Sequence, residues 1–210
     1  MISTTHVTPI VFVVDDDVSV REELELLICN AGWQPETFES AGEFLCRERV
    51  LVPCCLVLDI ALPGVNGLDL QKRLAADRKG IPIIVVTDHG DVAMTVQSMK
   101  AGAFDFLIKP FCDDALLCAV RQAIERSRTE LDHEVEIRGL GDRYNALSRR
   151  EREVMALVVS GLLNKQIGSE LGISEITVKA HRGQVMRKMK AGSLANLVKI
   201  AEKLHISAAV

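Results

Sequence analysis

The sequence predicts an α/β fold with a five-stranded parallel sheet, followed by a small all-α unit of four helices. Three observations carry that expectation. Short, near-continuous apolar runs rich in β-branched and aromatic residues alternate with segments of helical spacing, the pattern of a sheet covered on both faces. Each of the four clearest runs is followed by a carboxylate, hydroxyl or ammonium side chain: Asp15, Asp59, Thr87 or Lys109. Charge also divides the chain, because residues 1–144 hold 14 Lys+Arg against 24 Asp+Glu, a net of −10, whereas residues 145–210 hold 11 against 5, a net of +6.

In chain order, "IVFVV" (10–14) is the first strand and "REELELLICNAG" the helix after it. A weaker strand lies around "PETFES" (35–40). "CCLVL" (54–58), "IIVV" (83–86) and "FDFLI" (104–108) complete five strands, interleaved with helical "GLDLQKRLAAD" and "VAMTVQSMKAG" and followed by "ALLCAVRQAIERS". In the basic part, "LSRREREVMALVVSG" pairs Ser148 with Glu151 as a capping box and stops at Gly161. "NKQIGSELG" is capped by Asn164 and ends at Gly172. "SEITVKAHRGQVMRKMKAG" runs from Ser174 to Gly192, and "SLANLVKIAEKLHI" starts at Ser193.

At 210 residues and 48% hydrophobic content the chain can fill one core of average size and a second, smaller one. No stretch approaches the roughly 18 apolar, uncharged residues of a membrane span, and the N-terminus lacks a basic region with an apolar core and cleavage site. A cytoplasmic protein without a membrane partner is therefore expected. The six cysteines (Cys29, Cys46, Cys54, Cys55, Cys112, Cys118) show no CxxC pairing, and no histidine stands at metal-ligand spacing. Reduced, mostly core thiols are the expectation.

In an open parallel sheet the ligand site lies outside the carboxyl ends of the strands. Asp15, Asp16, Asp17, Asp59, Thr87 and Lys109 therefore gather at one rim. Clustered carboxylates need a cation, and hard oxygen ligands suit Mg²⁺. A carboxylate beside such an ion can act as a nucleophile and become an aspartyl phosphate, with an ammonium offsetting the transferred charge. Asp59 is the candidate nucleophile, Lys109 the charge partner and Thr87 a hydroxyl donor. Residue by residue, plainer readings stand beside these: Asp17 or Ser19 as the cap of the helix near Val20, and Lys109 as a solvated lysine.

"VFVVDDDVSVRE", "LVLDIALPGVNGLDL" and "IPIIVVTDHGDVAMTVQSMKAGAFDFLIKPF" resemble, in that order, the receiver domain of two-component response regulators over about residues 9–125. The resemblance implies a flavodoxin-like (βα)5 receiver, here 9–126, in which Asp15, Asp16 and Asp59 hold Mg²⁺. It implies that a sensor histidine kinase phosphorylates Asp59 and that Thr87 and Lys109 contact the phosphoryl group. Phe106 matches the aromatic switch, whose plainer reading is a core side chain, and a cis bond between Lys109 and Pro110 is implied. One position departs: the residue after the switch threonine is usually alanine or glycine, and here it is Asp88. Either this carboxylate repels phosphodonors or it points to solvent.

In the third helix of the basic part, Ile176, Val178, Val185, Met186 and Met189 form a core stripe in this reading. Lys179, Arg182, Arg187, Lys188 and Lys190 occupy its other faces, with no acid from Ile176 to Lys190. That is the pattern of a recognition helix, with a solvated basic face as the alternative. The string from Leu147 to Ala201 resembles the helix-turn-helix domain of LuxR-type regulators, here 145–210. The resemblance implies a helix-turn-helix at 164–183, Lys165 and Thr177 near phosphates, Lys179 facing the groove, and Lys179, Arg182 and Arg187 among the DNA contacts. Gly183 stands where relatives often carry a larger or basic residue.

The segment 127–144 between the two is charged and reads as a partly helical linker, broken at Gly139 and Gly141. Together the resemblances imply a FixJ/NarL-type transcription regulator. Phosphorylation would rearrange Thr87, Phe106 and the surface formed by the last strand and the helix before it, favouring a homodimer on a promoter operator, with RNA polymerase as a further partner. Two other classes compete. A constitutive or ligand-controlled regulator would use its receiver only as a dimerisation module, which Asp88 favours. A phosphatase with an aspartate nucleophile would want a second acid two residues on, where Ala61 stands, so no enzyme is expected.

Overall fold

The structure is a computed structural model and describes residues 8–48, 51–62, 80–88 and 92–206. It divides into two compact units, Met1–Asp132 and His133–Val210. The expected helix over "GLDLQKRLAAD" lies outside the described residues.

In the first unit, β1 (Ile10–Val14), β2 (Gln34–Phe38), β3 (Cys54–Asp59), β4 (Ile83–Thr87) and β5 (Asp105–Ile108) form one sheet in the order β2-β1-β3-β4-β5. All pairings are parallel, with Val14 opposite both Phe38 and Leu58, Asp59 opposite Val86, and Thr87 opposite Ile108. The carboxyl ends therefore lie side by side. The chain moves one way from β1 to β2 and the other way through β3, β4 and β5, which puts a topological switch point between β1 and β3.

Pleating sends alternate residues to opposite faces, and in the three inner strands β1, β3 and β4 both faces are buried, which is why these three read as continuous apolar runs, whereas the edge strands β2 and β5 are only partly buried. Phe12, Val14, Leu56, Leu58 and Val85 pack on one side with Phe44 of α2 (Ala41–Cys46). Val11, Val13, Val57, Ile84 and Val86 pack on the other with Leu24 and Ile28 of α1 (Val18–Asn30) and with Leu116 and Val120 of α4 (Asp113–Asn145). Helix α3 spans Val92–Lys100. Helix α2, absent from the sequence reading, is one and a half turns long and is capped by Ser40, whose hydroxyl accepts from Glu43 N–H.

Two expectations are corrected here. The cysteines are all free, but only Cys54 and Cys55 are buried; Cys29, Cys46, Cys112 and Cys118 are exposed. The two buried ones belong to β3, whereas Cys29, Cys46 and Cys118 stand on helices that bury only one side. Helix α4 also does not break at Gly139 or Gly141. Neither glycine takes a positive φ, and a Cβ built on either meets nothing within 4 Å. Glycine lowers helix stability by about 1 kcal/mol without forcing a stop, and Leu140 between the two is buried in the second unit's core.

That core is built by α5 (Arg149–Val159), α6 (Asn164–Leu171), α7 (Glu175–Lys188) and α8 (Leu194–Lys203) with the end of α4. Val154, Met155, Ile167, Val185, Met189 and Leu197 form its centre. Ser148 and Glu151 make the expected capping box, and Ser174 and Ser193 cap α7 and α8. Two helix ends differ. The N-cap of α6 is Leu163, with the Gln166 side chain accepting from its N–H at 2.7 Å; Asn164 instead turns its Oδ1 to Arg182. Helix α7 stops at Lys188 rather than Gly192, because Lys190 takes φ 53° and the N–H groups of Lys190 and Ala191 close back onto Arg187 and Met186.

Gly168 is where α6 meets the turn before α7. A Cβ there would stand 2.8 Å from the Ile173 carbonyl oxygen, so only glycine lets these segments approach this closely.

Candidate functional site

The three successive aspartates after β1 have three different fates. Asp17 is the N-cap of α1, its Oδ1 accepting from Ser19 N–H at 2.8 Å, which assigns the cap left open between Asp17 and Ser19. Asp16 is exposed. Asp15 is 3% exposed, accepts from Asp17 N–H through Oδ1 at 2.9 Å, and turns its Oδ2 to the Lys109 ammonium at 2.9 Å. The Arg21 guanidinium donates to the Asp15 carbonyl oxygen.

Asp59, the last residue of β3, is 4% exposed. Its Oδ1 accepts from Ala61 N–H at 2.7 Å and its Oδ2 from Lys109 Nζ at 2.7 Å. One ammonium thus spans two buried carboxylates across the switch point. Burial alone would lower the Lys109 pKa, but the bonds to Asp15 and Asp59 outweigh it and hold this lysine above its ordinary range. Ligand oxygens of Asp15, Asp16 and Asp59 lie within 4.8 Å of one another.

Thr87 closes β4 at 1% exposure, and its carbonyl accepts from Lys109 N–H at 2.9 Å, tying the end of β4 to the residue after β5. The Lys109–Pro110 bond is cis. Phe106 on β5 is partly buried and packs against the first of the two sheet-face cores. Asp88 is exposed. Asp15, Asp16, Asp59, Thr87 and Lys109 therefore all stand at the rim that the strand ends define.

Sequence reading did not find the largely apolar cavity of about 210 Å³ that adjoins Lys109, lined by Val20, Leu24 and Leu27 of α1 with Pro110 and Phe111, and with Glu23 and Asp113 also in its lining. The i, i+4, i+7 spacing of the three apolar α1 residues was the available signal. Val96, Met99 and Ile108, from α3 and the edge strand β5, are also exposed.

In the second unit, Lys165, Thr177, Lys179 and Arg187 are exposed and Arg182 is half-buried. Arg182 donates to Asn164 Oδ1 at 3.1 Å, Lys179 pairs with Glu175 at 3.0 Å, and Arg187 bonds Gln184. Two residues depart from the sequence reading. Lys188 points inward, 2.6 Å from the buried Glu151 carboxylate, because the cap of α5 places that acid beneath α7. Ile176 is not in the core stripe: it is 80% exposed, while Val178, Val185 and Met189 are buried.

The profile described as response regulator receiver domain matches residues 11–121, and that of bacterial regulatory proteins of the luxR family matches residues 145–201. Nodulation protein W of Bradyrhizobium diazoefficiens is 50% identical over 199 residues, covering 95% of this chain and 88% of that protein. Transcriptional regulatory protein FixJ of Azorhizobium caulinodans is 44% identical, over 91% of this chain and 90% of that one. Among solved structures, the response regulator StyR superposes with a TM-score of 0.82 at 47% identity, covering 94% of this chain and 100% of StyR. Full-length FixJ from B. japonicum gives 0.54 at 38% identity, covering 93% and 97%. No described helix is long and apolar enough to cross a membrane. With both profiles matched in order and relatives aligned along nearly their whole length, the chain belongs to the FixJ/NarL family of two-component response regulators, DNA-binding transcription regulators and not enzymes, which join a receiver to a LuxR-type domain.

Proposed function

We propose that Mg²⁺-dependent phosphorylation of Asp59 switches this regulator between a resting form and a dimer that binds its operator. The observation that carries the reading is the Lys109 ammonium held between the buried carboxylates of Asp15 and Asp59 at the switch point of the sheet. With Asp16, the rim carries three negative charges against one positive, and a divalent cation would offset the remaining two. Receivers of this kind bind Mg²⁺ at an acidic pocket, and Asp15, Asp16 and Asp59 offer the hard oxygens it takes. When bound, the ion supplies charge neutralisation to the phosphoryl oxygens.

The chain's own residues supply the rest. An Asp59 carboxylate oxygen bonds to phosphorus as the phosphorus–nitrogen bond of a phosphohistidine breaks, and the departing imidazole takes up a proton. Lys109 and the Thr87 hydroxyl receive the phosphoryl oxygens. The donor is a sensor histidine kinase, and the largely apolar cavity beside Lys109 offers a protein donor a surface next to the acceptor. Movement of Thr87 and Phe106 would bias the face that carries Val96, Met99 and Ile108 towards a second copy.

In this reading Lys165, Thr177, Lys179, Arg182 and Arg187 contact operator DNA, and the cytoplasmic dimer engages RNA polymerase at the promoter. The test incubates wild type and Asp59→Asn with Mg²⁺ and acetyl phosphate, following intact mass and oligomeric state together. A phosphoryl adduct on wild type only, with a shift to dimer, is the expected result. Unchanged mass and unchanged state, with acetyl phosphate and with a phosphorylated kinase alike, would favour a constitutive regulator whose receiver only dimerises.

A further inference from the structure

We infer that Ile176 reads a thymine in the operator through the thymine 5-methyl group. The inference rests on the DNA-binding reading above and adds a base-specific contact that a basic helix alone does not supply. Ile176 is the most exposed large apolar residue among those described, at 80%, and it stands in the first turn of α7. Exposure of a β-branched side chain there serves no core: the buried stripe of this helix is Val178, Val185 and Met189, on the opposite side.

Ile176, Ala180, Gly183 and Arg187 follow the i, i+4, i+7, i+11 spacing of one helical face, and all four are exposed. Lys179 flanks that face, and no acid occurs from Ile176 to Lys190. Glu175, the nearest acid, is paired with Lys179 at 3.0 Å. That pair is neutral together, and Arg182, Arg187 and Lys190 leave the helix and its end net positive, so charge complementarity selects a polyanion as the occupant over an apolar protein surface. Within a helix-turn-helix the N-terminal residues of the recognition helix reach the base edges. There the thymine methyl is the apolar feature of the major groove, the one an isoleucine can contact. Ala180 and Gly183, next along the face, leave the helix free to come close, and a Cβ added at Gly183 meets nothing within 4 Å.

The test begins by selecting binding sites from a randomised duplex library with the full-length, phosphorylated chain, then measures affinity for the selected site. Each thymine is replaced in turn by deoxyuridine, which lacks only the methyl. At one thymine in each half-site, the replacement should weaken wild type about fourfold, the worth of one buried methyl group. It should leave Ile176→Ser unchanged at that position, and Ile176→Val should keep most of the sensitivity. If every deoxyuridine replacement costs wild type and Ile176→Ser the same, the inference is overturned while the DNA-binding reading stands. If the library yields no enriched sequence with wild type, the DNA-binding reading fails and the inference falls with it. Loss of dimer in Ile176→Ser, with unaltered base sensitivity, would assign the residue to a protein contact instead.

Discussion

Lys109 Nζ lies 2.7 Å from Asp59 Oδ2, and the same nitrogen reaches Asp15 Oδ2 at 2.9 Å. Both carboxylates are almost wholly buried, so removing the ammonium leaves two negative charges facing each other in a medium that screens them poorly. Lys109→Ala should lose stability on the order of 3 kcal/mol, the scale for breaking a buried ion pair from one side. Mg²⁺ should then raise the melting temperature of Lys109→Ala more than that of wild type, because the ion takes over the missing positive charge. Melts in EDTA and in millimolar Mg²⁺ measure this; equal increments in the two proteins would show that the ion does not take over the charge of the missing ammonium.

Asp88 is exposed and next in sequence to Thr87. A carboxylate at the mouth of an acidic site lowers the local concentration of a small anionic donor, and solvent screens that effect. Asp88→Ala should accept phosphate from acetyl phosphate two- to threefold faster, on the order expected for one partly screened charge, with the gain shrinking as salt rises. Initial phosphorylation rates at low and high ionic strength decide it, and equal rates for the two proteins would reject the repulsion.

Lys188 bonds the Glu151 carboxylate, and Ser148 N–H donates to the same oxygen; the two together hold the Glu151 pKa below its ordinary 4.5. A group lowered on folding contributes stability that is present above its unfolded pKa and is lost as pH falls through the folded value. The second unit should therefore weaken below about pH 4.5. Glu151→Gln should be less stable at pH 7 and show a flatter dependence through that range. Parallel pH profiles of unfolding for the two proteins would exclude Glu151 as a source of the acid sensitivity.

Much of this molecule was legible because two-sided burial writes itself into the strands: Val11 and Phe12 face opposite cores, yet both must be apolar. The rim followed, since residues just after parallel strands share one edge whatever the intervening helices do. Side-chain assignment within a charge cluster did not follow. Asp15, Asp16 and Asp17 are identical in sequence, and only the backbone turn decides which one is buried, which exposed and which caps α1. Helix faces were legible only to within a residue or two. Ile176 and Lys188 exchanged the roles expected of them, one turning out and the other in, because the buried Glu151 gives Lys188 a partner and nothing in the core reaches Ile176. Gly139 and Gly141 misled because a glycine stops a helix only where the chain takes positive φ, and that is set by what lies beyond it.

Two helix ends carry residues that local chemistry does not favour, and both make quantitative tests of the second unit. Leu163 holds the extended backbone of an N-cap at φ −76°, ψ 152°, but is 70% exposed and has no side-chain oxygen to bond the orphan N–H groups of α6. Leu163→Ser should stabilise the unit by about 1 kcal/mol, the usual worth of such a cap. Lys190 occupies a left-handed position at φ 53° with its side chain exposed, where a Cβ costs roughly 1 kcal/mol. Lys190→Gly should recover about that amount, offset in part by the entropy glycine adds to the unfolded chain. Denaturant unfolding of each variant measures both gains. If both raise stability while Lys190→Gly alone weakens DNA binding, the strained lysine is retained for its charge; a Lys190→Gly protein that binds DNA as tightly as wild type would remove that explanation.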